Sequence, residues 1–253
     1  SDEFYTLVRL LEREGSGDEI KGGRKLLELN VRLVIILQWI QLGQTFKVLG
    51  FTFGLTDSRV QTSITSLWNP LAKVLMENMI PERPLDYVPK RKFINHKDAA
   101  GALDATLIMI SKPMVKEENN MYFSGKHKKH GVKLQVLVAP DGFYIHFGGV
   151  VPGRRNDFYS YNYSGLSRTM EHSTVGMDGI KTTHRPPILA DGGYMEIQNT
   201  YPEAIIPKRK PLNGHLTREQ KEFNRLLSQD RSVVERFFGR MKGYWGILKK
   251  PYR

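Results

Sequence analysis

The apolar residues of the first eighty positions recur at helical spacing. Leu26, Leu27, Leu29, Val31, Leu33, Val34, Ile35, Ile36, Leu37, Trp39 and Ile40 crowd the stretch 25–42 without Gly or Pro, and this density predicts a buried helix that Gly43 stops. Thr45–Phe53 carries Phe46, Leu49 and Phe53 at three- and four-residue spacing and reads as a second, shorter helix ended by Gly54. Asp57 or Ser58 is placed to cap a third helix from Arg59 to Trp68. Asn69-Pro70 should break or kink it and open a fourth helix reaching about Met79. The series helix, tight turn, helix over 45–68 has the helix-turn-helix layout. In it Val60, Ile64 and Leu67 pack inward, while Arg59, Thr62, Ser63 and Ser66 form the exposed face, Arg59 being the candidate DNA contact. Many helical bundles share this layout without touching DNA.

The period then changes. Residues 81–98 hold three prolines and read as a linker. "GALDATLIMI" (101–110), "VKLQVLVA" (132–139) and "FYIHFGGVV" (143–151) read as strands, with Asp141-Gly142 a hairpin turn between the last two. A helix capped by Asn156 or Asp157 follows over 156–170, then a polar loop over 171–185. "PPILADGGY" (186–194) and "AIIPK" (204–208) are short strands, and 216–248 is one long helix with Thr217 as N-cap. The pattern predicts an α/β fold, a mixed sheet flanked by helices and preceded by an all-α helix-turn-helix segment. The expected divisions are an N-terminal extension (1–22), a helical domain (23–80), the linker (81–98) and a sheet-bearing domain (99–253).

Charge sharpens this picture. The formal net charge is +12, and residues 204–253 hold thirteen bases against four acids. So one-sided an excess points to a polyanionic partner, most simply nucleic acid, against the alternative of a merely solubilising surface. Hydrophobic residues make up 40%, which allows a sizeable core, and no apolar run suffices to cross a bilayer. The absence of cysteine excludes disulfides and thiolate metal sites and fits a reducing compartment. The chain opens on Ser1 rather than Met, as a trimmed piece of a longer protein would.

Three acids stand out against that background. Asp104 lies inside the first strand among Leu and Ile, where a carboxylate is costly to bury unless paired or bound to a cation. Asp191 ends a short strand and precedes two glycines, which allow a close approach to the backbone. Glu235 is the only acid in 231–253, amid seven bases. Singly, each has a plain reading as a turn residue, cap or ion-pair partner. Gathered from distant segments they would repel one another unless a divalent ion joined them, and carboxylate oxygens suit Mg²⁺ or Mn²⁺. Two such ions about 4 Å apart serve phosphoryl transfer by activating the attacking oxygen and stabilising the leaving one.

The series "LDAT", "YFSGKHKKHGVKLQVLVAPDGFYIHFGGVVPGRRND", "ILADGGY", "AIIPKRKP" and "FNRLLSQDRSVVERFFGRMKGYWGIL" closely resembles the DDE endonuclease domain of Harbinger-type (PIF/Harbinger) transposases and their bacterial relatives, over roughly residues 100–250. Its most specific part is Glu235 followed seven residues later by Lys242. The resemblance implies an RNase H-like fold and a metal-binding triad matching Asp104, Asp191 and Glu235. It also implies cut-and-paste DNA transposition, by in-line attack of water and then of a 3′ hydroxyl on phosphodiesters. A Myb-like DNA-binding helper protein commonly accompanies such transposases, and a homo-oligomer acting on double-stranded DNA is expected. "LDAT" departs from the family's usual Asp-Gly-Thr by one small residue and keeps the ligand. The alternatives are a domesticated relative that binds DNA without cutting and a rearrangement nuclease without strand transfer.

Asp157 stands where the family often has an acid, as an auxiliary metal ligand or a plain N-cap. Lys126, Lys128 and Lys129, Arg154 and Arg155, Lys208, Arg209 and Lys210, and Arg231 and Lys242 are candidate phosphate contacts or solvated charge. His127 and His130 make a weak zinc spacing. Tyr244 and Trp245 are candidates for stacking on an extruded base, core packing being the expected job of at least one. "PKRK" at 89–92 and 207–210 reads as a basic loop, a DNA contact or a nuclear import signal. Import would place the protein in the nucleus of a eukaryote; in a bacterium it would be cytoplasmic.

Overall fold

In a computed structural model, residues 2–16, 20–21, 24–79, 89–166, 185–249 and 251 are described. They fall into two compact units, one within Ser1–Glu82 together with Lys242–Lys250, the other within Arg83–Met241 together with Pro251–Arg253. Much of the expected linker, and most of the expected polar loop over 171–185, lie outside the described residues.

The first unit is built on helices α1 (Asp2–Arg13), α2 (Leu29–Leu42), α3 (Phe46–Phe53) and α4 (Asp57–Met79), with a two-stranded ladder of β1 (Ile20–Lys21) and β2 (Arg24–Lys25) before α2. Leu11, Leu33, Ile35, Ile36, Leu49, Val60, Ile64, Leu67, Leu71 and Val74 form its buried core. Gly43 ends α2 in the left-handed region at φ 61°, with its N–H donated to the Trp39 carbonyl. A side chain there would also meet the Gly246 carbonyl oxygen at 2.6 Å, so the position requires glycine twice over. Thr45 caps α3 by accepting from the Val48 N–H.

Three expectations fail here. First, α4 runs on through Pro70 as a single helix. Proline removes one amide donor, and the buried stripe Leu67, Leu71 and Val74 continues on both sides of it, so packing outweighs the lost bond. Second, Ser63 is buried rather than exposed, its hydroxyl donating to the Arg59 carbonyl at 2.8 Å. Third, Thr56, not Asp57 or Ser58, accepts from the Arg59 N–H and so caps the helix. Arg32 is the core's buried charge, donating to the Ser16 carbonyl at 2.7 Å and the Ser66 hydroxyl at 3.3 Å.

The second unit holds a mixed sheet. Strands β3 (Gly101–Met109), β5 (Lys129–Val138) and β6 (Tyr144–Pro152) are antiparallel neighbours, and β7 (Ile188–Ala190) and β8 (Ala204–Ile205) extend the other side of β3 in parallel. The order across the sheet is thus β6-β5-β3-β7-β8, with the short β4 (Phe123–Ser124) on the start of β5. Alternation divides the strands between two cores. Leu103, Leu137 and Ile145 face Tyr161, Tyr194 and Tyr201 on one side. Ala102, Val136, Val138 and Leu189 face Val233, Val234 and Phe238 of the last helix on the other. Gly142 turns β5 into β6 at φ 86°, as Asp-Gly predicts. Helix α6 (Asp157–Tyr163) is shorter than expected, and α5 (Lys116–Tyr122) has no counterpart in the sequence pattern. The long helix α7 (Arg218–Tyr244) opens with a reciprocal cap, Thr217 accepting from Gln220 N–H and Gln220 from Thr217 N–H, each at 3.1 Å. No described helix is long and apolar enough to cross a membrane.

Candidate active site

Strand register brings the first two acids together. Leu103 on β3 pairs with Ala190 on β7, so Asp104 and Asp191, one residue further on each parallel strand, leave the sheet side by side. Both face α7, since Asp104 pairs with Val136 of the core on that side. Each carboxylate is held locally: Asp104 Oδ1 accepts from the Ala105 N–H at 2.8 Å, and Asp191 Oδ1 from the Gly192 N–H at 2.7 Å. The group between them is Arg231 of α7. Its Nη2 lies 3.6 Å from Asp104 Oδ2 and its Nη1 3.5 Å from Asp191 Oδ1. Those separations make ion pairs rather than good hydrogen bonds. The Arg231 side chain is largely buried, and its Nε has no hydrogen-bond partner among the described residues.

Burial raises the Asp104 carboxyl from its ordinary 3.8 to about 6, against the pull of the Ala105 N–H and Arg231; Asp191 and Asp157 push it the same way as burial. Asp157 opens α6, but Asn156 is the cap, accepting from Tyr159 N–H at 2.7 Å. Asp157 instead takes a hydrogen bond from Lys133 Nζ at 2.8 Å, both side chains being mostly buried. A Cβ at position 193 would meet Asp157 Oδ2 at 2.5 Å, so Gly193 makes the close approach expected of the double glycine, with Asp157 as the approaching group. Beneath them Tyr194 donates to Gln135 Oε1 at 3.2 Å; burial first, then the neighbouring acids, hold its phenol well above the usual tyrosine range.

Glu235 is one turn beyond Arg231 on α7, exposed, and makes no ion pair or side-chain hydrogen bond among the described residues. Among those residues no three His, Cys, Asp or Glu side chains are grouped closely enough to hold a metal ion. The structure therefore gathers Asp104, Asp191 and Arg231, and does not draw Glu235 in with them. The two gathered acids share a single guanidinium, and a third carboxylate beside them would add repulsion. The acid pair fits a hard divalent cation by donor type.

A family model described as DDE superfamily endonuclease matches residues 103–253, more than half of the chain. The chain belongs to this family. The match spans Asp104, Asp191, Arg231 and Glu235. Over 250 residues this chain is 25% identical to a protein of Microchaete diplosiphon named "Probable transposase for insertion sequence element IS702", covering 99% of this chain and 82% of that one. It is also 25% identical over 231 residues to "Protein ALP1-like" of Arabidopsis thaliana, covering 88% of this chain and 54% of that one. No solved structure matches. The bacterial relative lends the nuclear reading no support.

The other candidates divide by position. Arg209 is at the site's edge, Nη2 donating to the Gly192 carbonyl at 2.8 Å. Lys208 lies over the Phe223 ring, and Lys208 and Lys210 are exposed. Lys126, Lys128 and Lys129 are exposed on the turn into β5, with Lys128 at φ 53°. Arg154 and Arg155 are exposed on a turn whose backbone is tied to β5 through Gly153 N–H to the Gly131 carbonyl and to α5 through Arg154 N–H to the Met121 carbonyl. His130 bonds Asn119 at 2.7 Å, and no zinc group forms with His127 among the described residues. In the first unit Arg59 is half-buried, Lys242 is held below the usual lysine range by burial, and Tyr244 and Trp245 are both exposed, against the expectation that one would join a core. Sequence reasoning missed Lys133 and Asp230. The buried Asp230 carboxylate accepts from the backbone N–H groups of Asn95 (3.1 Å) and His96 (2.9 Å) and lies 2.9 Å from His96 Nδ1. Only register and helix packing reveal these roles; the one sequence signal was an acid or base at a position that proved buried.

Proposed function

We propose that this DDE endonuclease is the core of a DNA transposase, its sheet unit an RNase H-like catalytic domain of the Harbinger type and its helical unit a helix-turn-helix module. The observation that carries this reading is the convergence of Asp104 and Asp191, from adjacent parallel strands, on one buried positive charge. The three antiparallel strands followed by two parallel ones support the fold assignment. Asp104 and Asp191 would hold Mg²⁺ or Mn²⁺ through carboxylate oxygens, with Glu235 the candidate third ligand. When bound, such ions supply activation of the attacking oxygen and charge stabilisation of the leaving one. Asp157, fixed by Lys133, sets the field behind Asp104 rather than acting first as a ligand. Arg209 and the exposed bases at 126–129 and 154–155 grip the phosphodiester backbone. Water then attacks a phosphodiester at an element end, and the freed 3′ hydroxyl attacks target DNA. The partner is double-stranded DNA, engaged by a homo-oligomer with a Myb-like helper.

The test is a cleavage and joining assay on DNA carrying the element ends, with Mn²⁺. Cut and joined products are expected from the native chain. Asp104→Asn and Asp191→Asn should each lower the rate by at least about a thousandfold, in keeping with loss of the main electrostatic contribution to the transition state. Undiminished cutting by Asp104→Asn would reject the assignment. Cut but unjoined products would indicate a nuclease without strand transfer.

A further inference from the structure

The proposed function puts a divalent cation where the structure already has a charge. Arg231 pairs with both Asp104 and Asp191, and among the described residues no other base makes an ion pair with either. The neighbouring bases are committed elsewhere, Lys133 to Asp157 at 2.8 Å and Arg209 to the Gly192 carbonyl at 2.8 Å. The guanidinium is attached differently from those two. Its contacts to the acids, at 3.5 and 3.6 Å, lie beyond good hydrogen-bond range, and its buried Nε has no acceptor among the described residues. It is therefore held by charge and packing, and charge is what a metal ion would replace. A divalent ion and the guanidinium need the same carboxylate oxygens, and the two cations repel at such separations.

We propose that Arg231 is the resident counter-cation of the acid pair in the metal-free protein, and that it and the divalent ion exclude each other. This rests on the metal-dependent reading above. In the metal-free state Arg231 keeps Asp104 and Asp191 side by side without mutual repulsion, so the cleft is formed before the ion arrives. Metal binding then frees a cation at the site's centre, and the apparent metal affinity is lowered by the cost of moving it.

Mn²⁺ alone is the probe, titrated calorimetrically at pH 8 into the full chain and its Arg231→Gln, Arg231→Lys and Asp104→Asn variants. Arg231→Gln should bind Mn²⁺ at least about fivefold more tightly than the native chain, the lower edge of ordinary coupling between two sites. Arg231→Lys, which keeps the charge, should stay close to native. Binding of Mn²⁺ by the Gln variant but not by the native chain would support the competition more strongly still. Equal or weaker binding by Arg231→Gln, with binding still lost in Asp104→Asn, would overturn this inference and leave the metal-dependent reading standing. No binding by either the native chain or Arg231→Gln would overturn both. Should Arg231→Gln fail to fold, the native chain decides the matter. The ¹⁵N signal of the Arg231 side-chain Nε, identified by its absence in Arg231→Lys, should shift and lose solvent protection saturably as Mg²⁺ is added. A signal unmoved at saturating Mg²⁺ would overturn the proposal.

Discussion

Asp104 shows how one residue ties stability to chemistry. Its folded pKa is raised from 3.8 to about 6, so the folded chain holds this proton more firmly than the unfolded one. The stability it contributes is complete below its unfolded value and is lost as the pH rises through the folded one. Metal-free protein should therefore lose on the order of 3 kcal/mol from this group between about pH 4 and about pH 6. Urea unfolding in EDTA across that range measures the loss. Asp104→Asn should flatten this dependence and unfold at higher urea than the native chain at pH 8, even as DNA cleavage disappears; an Asn variant no more stable at pH 8 would contradict the burial argument. The sequence already flagged an acid that needed a cation. It did not reveal that an arginine from a helix 127 residues further along stands there in the metal-free protein.

The last helix concentrates these roles within six positions. Asp230 clamps the segment leading into β3, Arg231 faces the acids, Val233 and Val234 pack on the sheet, and Glu235 faces solvent. Asp230→Ala would leave the Asn95 and His96 amides without their acceptor and should destabilise the protein by about 2–4 kcal/mol, read from the urea midpoint. The helix itself was plain from periodicity, and Thr217 as its cap from residue type. Which of its acids would be buried was not. Asp230 and Glu235 look alike in sequence, and the difference between clamp and free carboxylate is set by five residues of helical rotation against the sheet. Pro70 shows the converse: local chemistry forecast a break in α4, and the buried stripe on either side overrode it.

On the scale of the whole molecule the excess of twelve positive charges is the dominant property. Binding to duplex DNA should be strongly salt-dependent, weakening by roughly 10³–10⁵ between 50 and 200 mM salt if six to ten phosphates are contacted. Fluorescence anisotropy at several salt concentrations gives the slope. Replacing Lys126, Lys128 and Lys129 together by Gln should reduce that slope by about two to three units while leaving urea stability nearly unchanged, because the three side chains are exposed. A slope unaffected by the triple change would assign those lysines to solvent alone.

The sequence by itself determined most of the elements. Their types, most of their caps and turns, and the acids that could not be buried for nothing follow from local chemistry and from the periods of helix and strand. Tertiary structure alone decided the partners. The pairing of Leu103 with Ala190 makes neighbours of two aspartates 87 residues apart, and the seating of α7 delivers Arg231 rather than Glu235 to them. Spacing along a chain carries no record of strand register or of helix rotation. Those are settled by the burial of side chains remote from the charges they bring together.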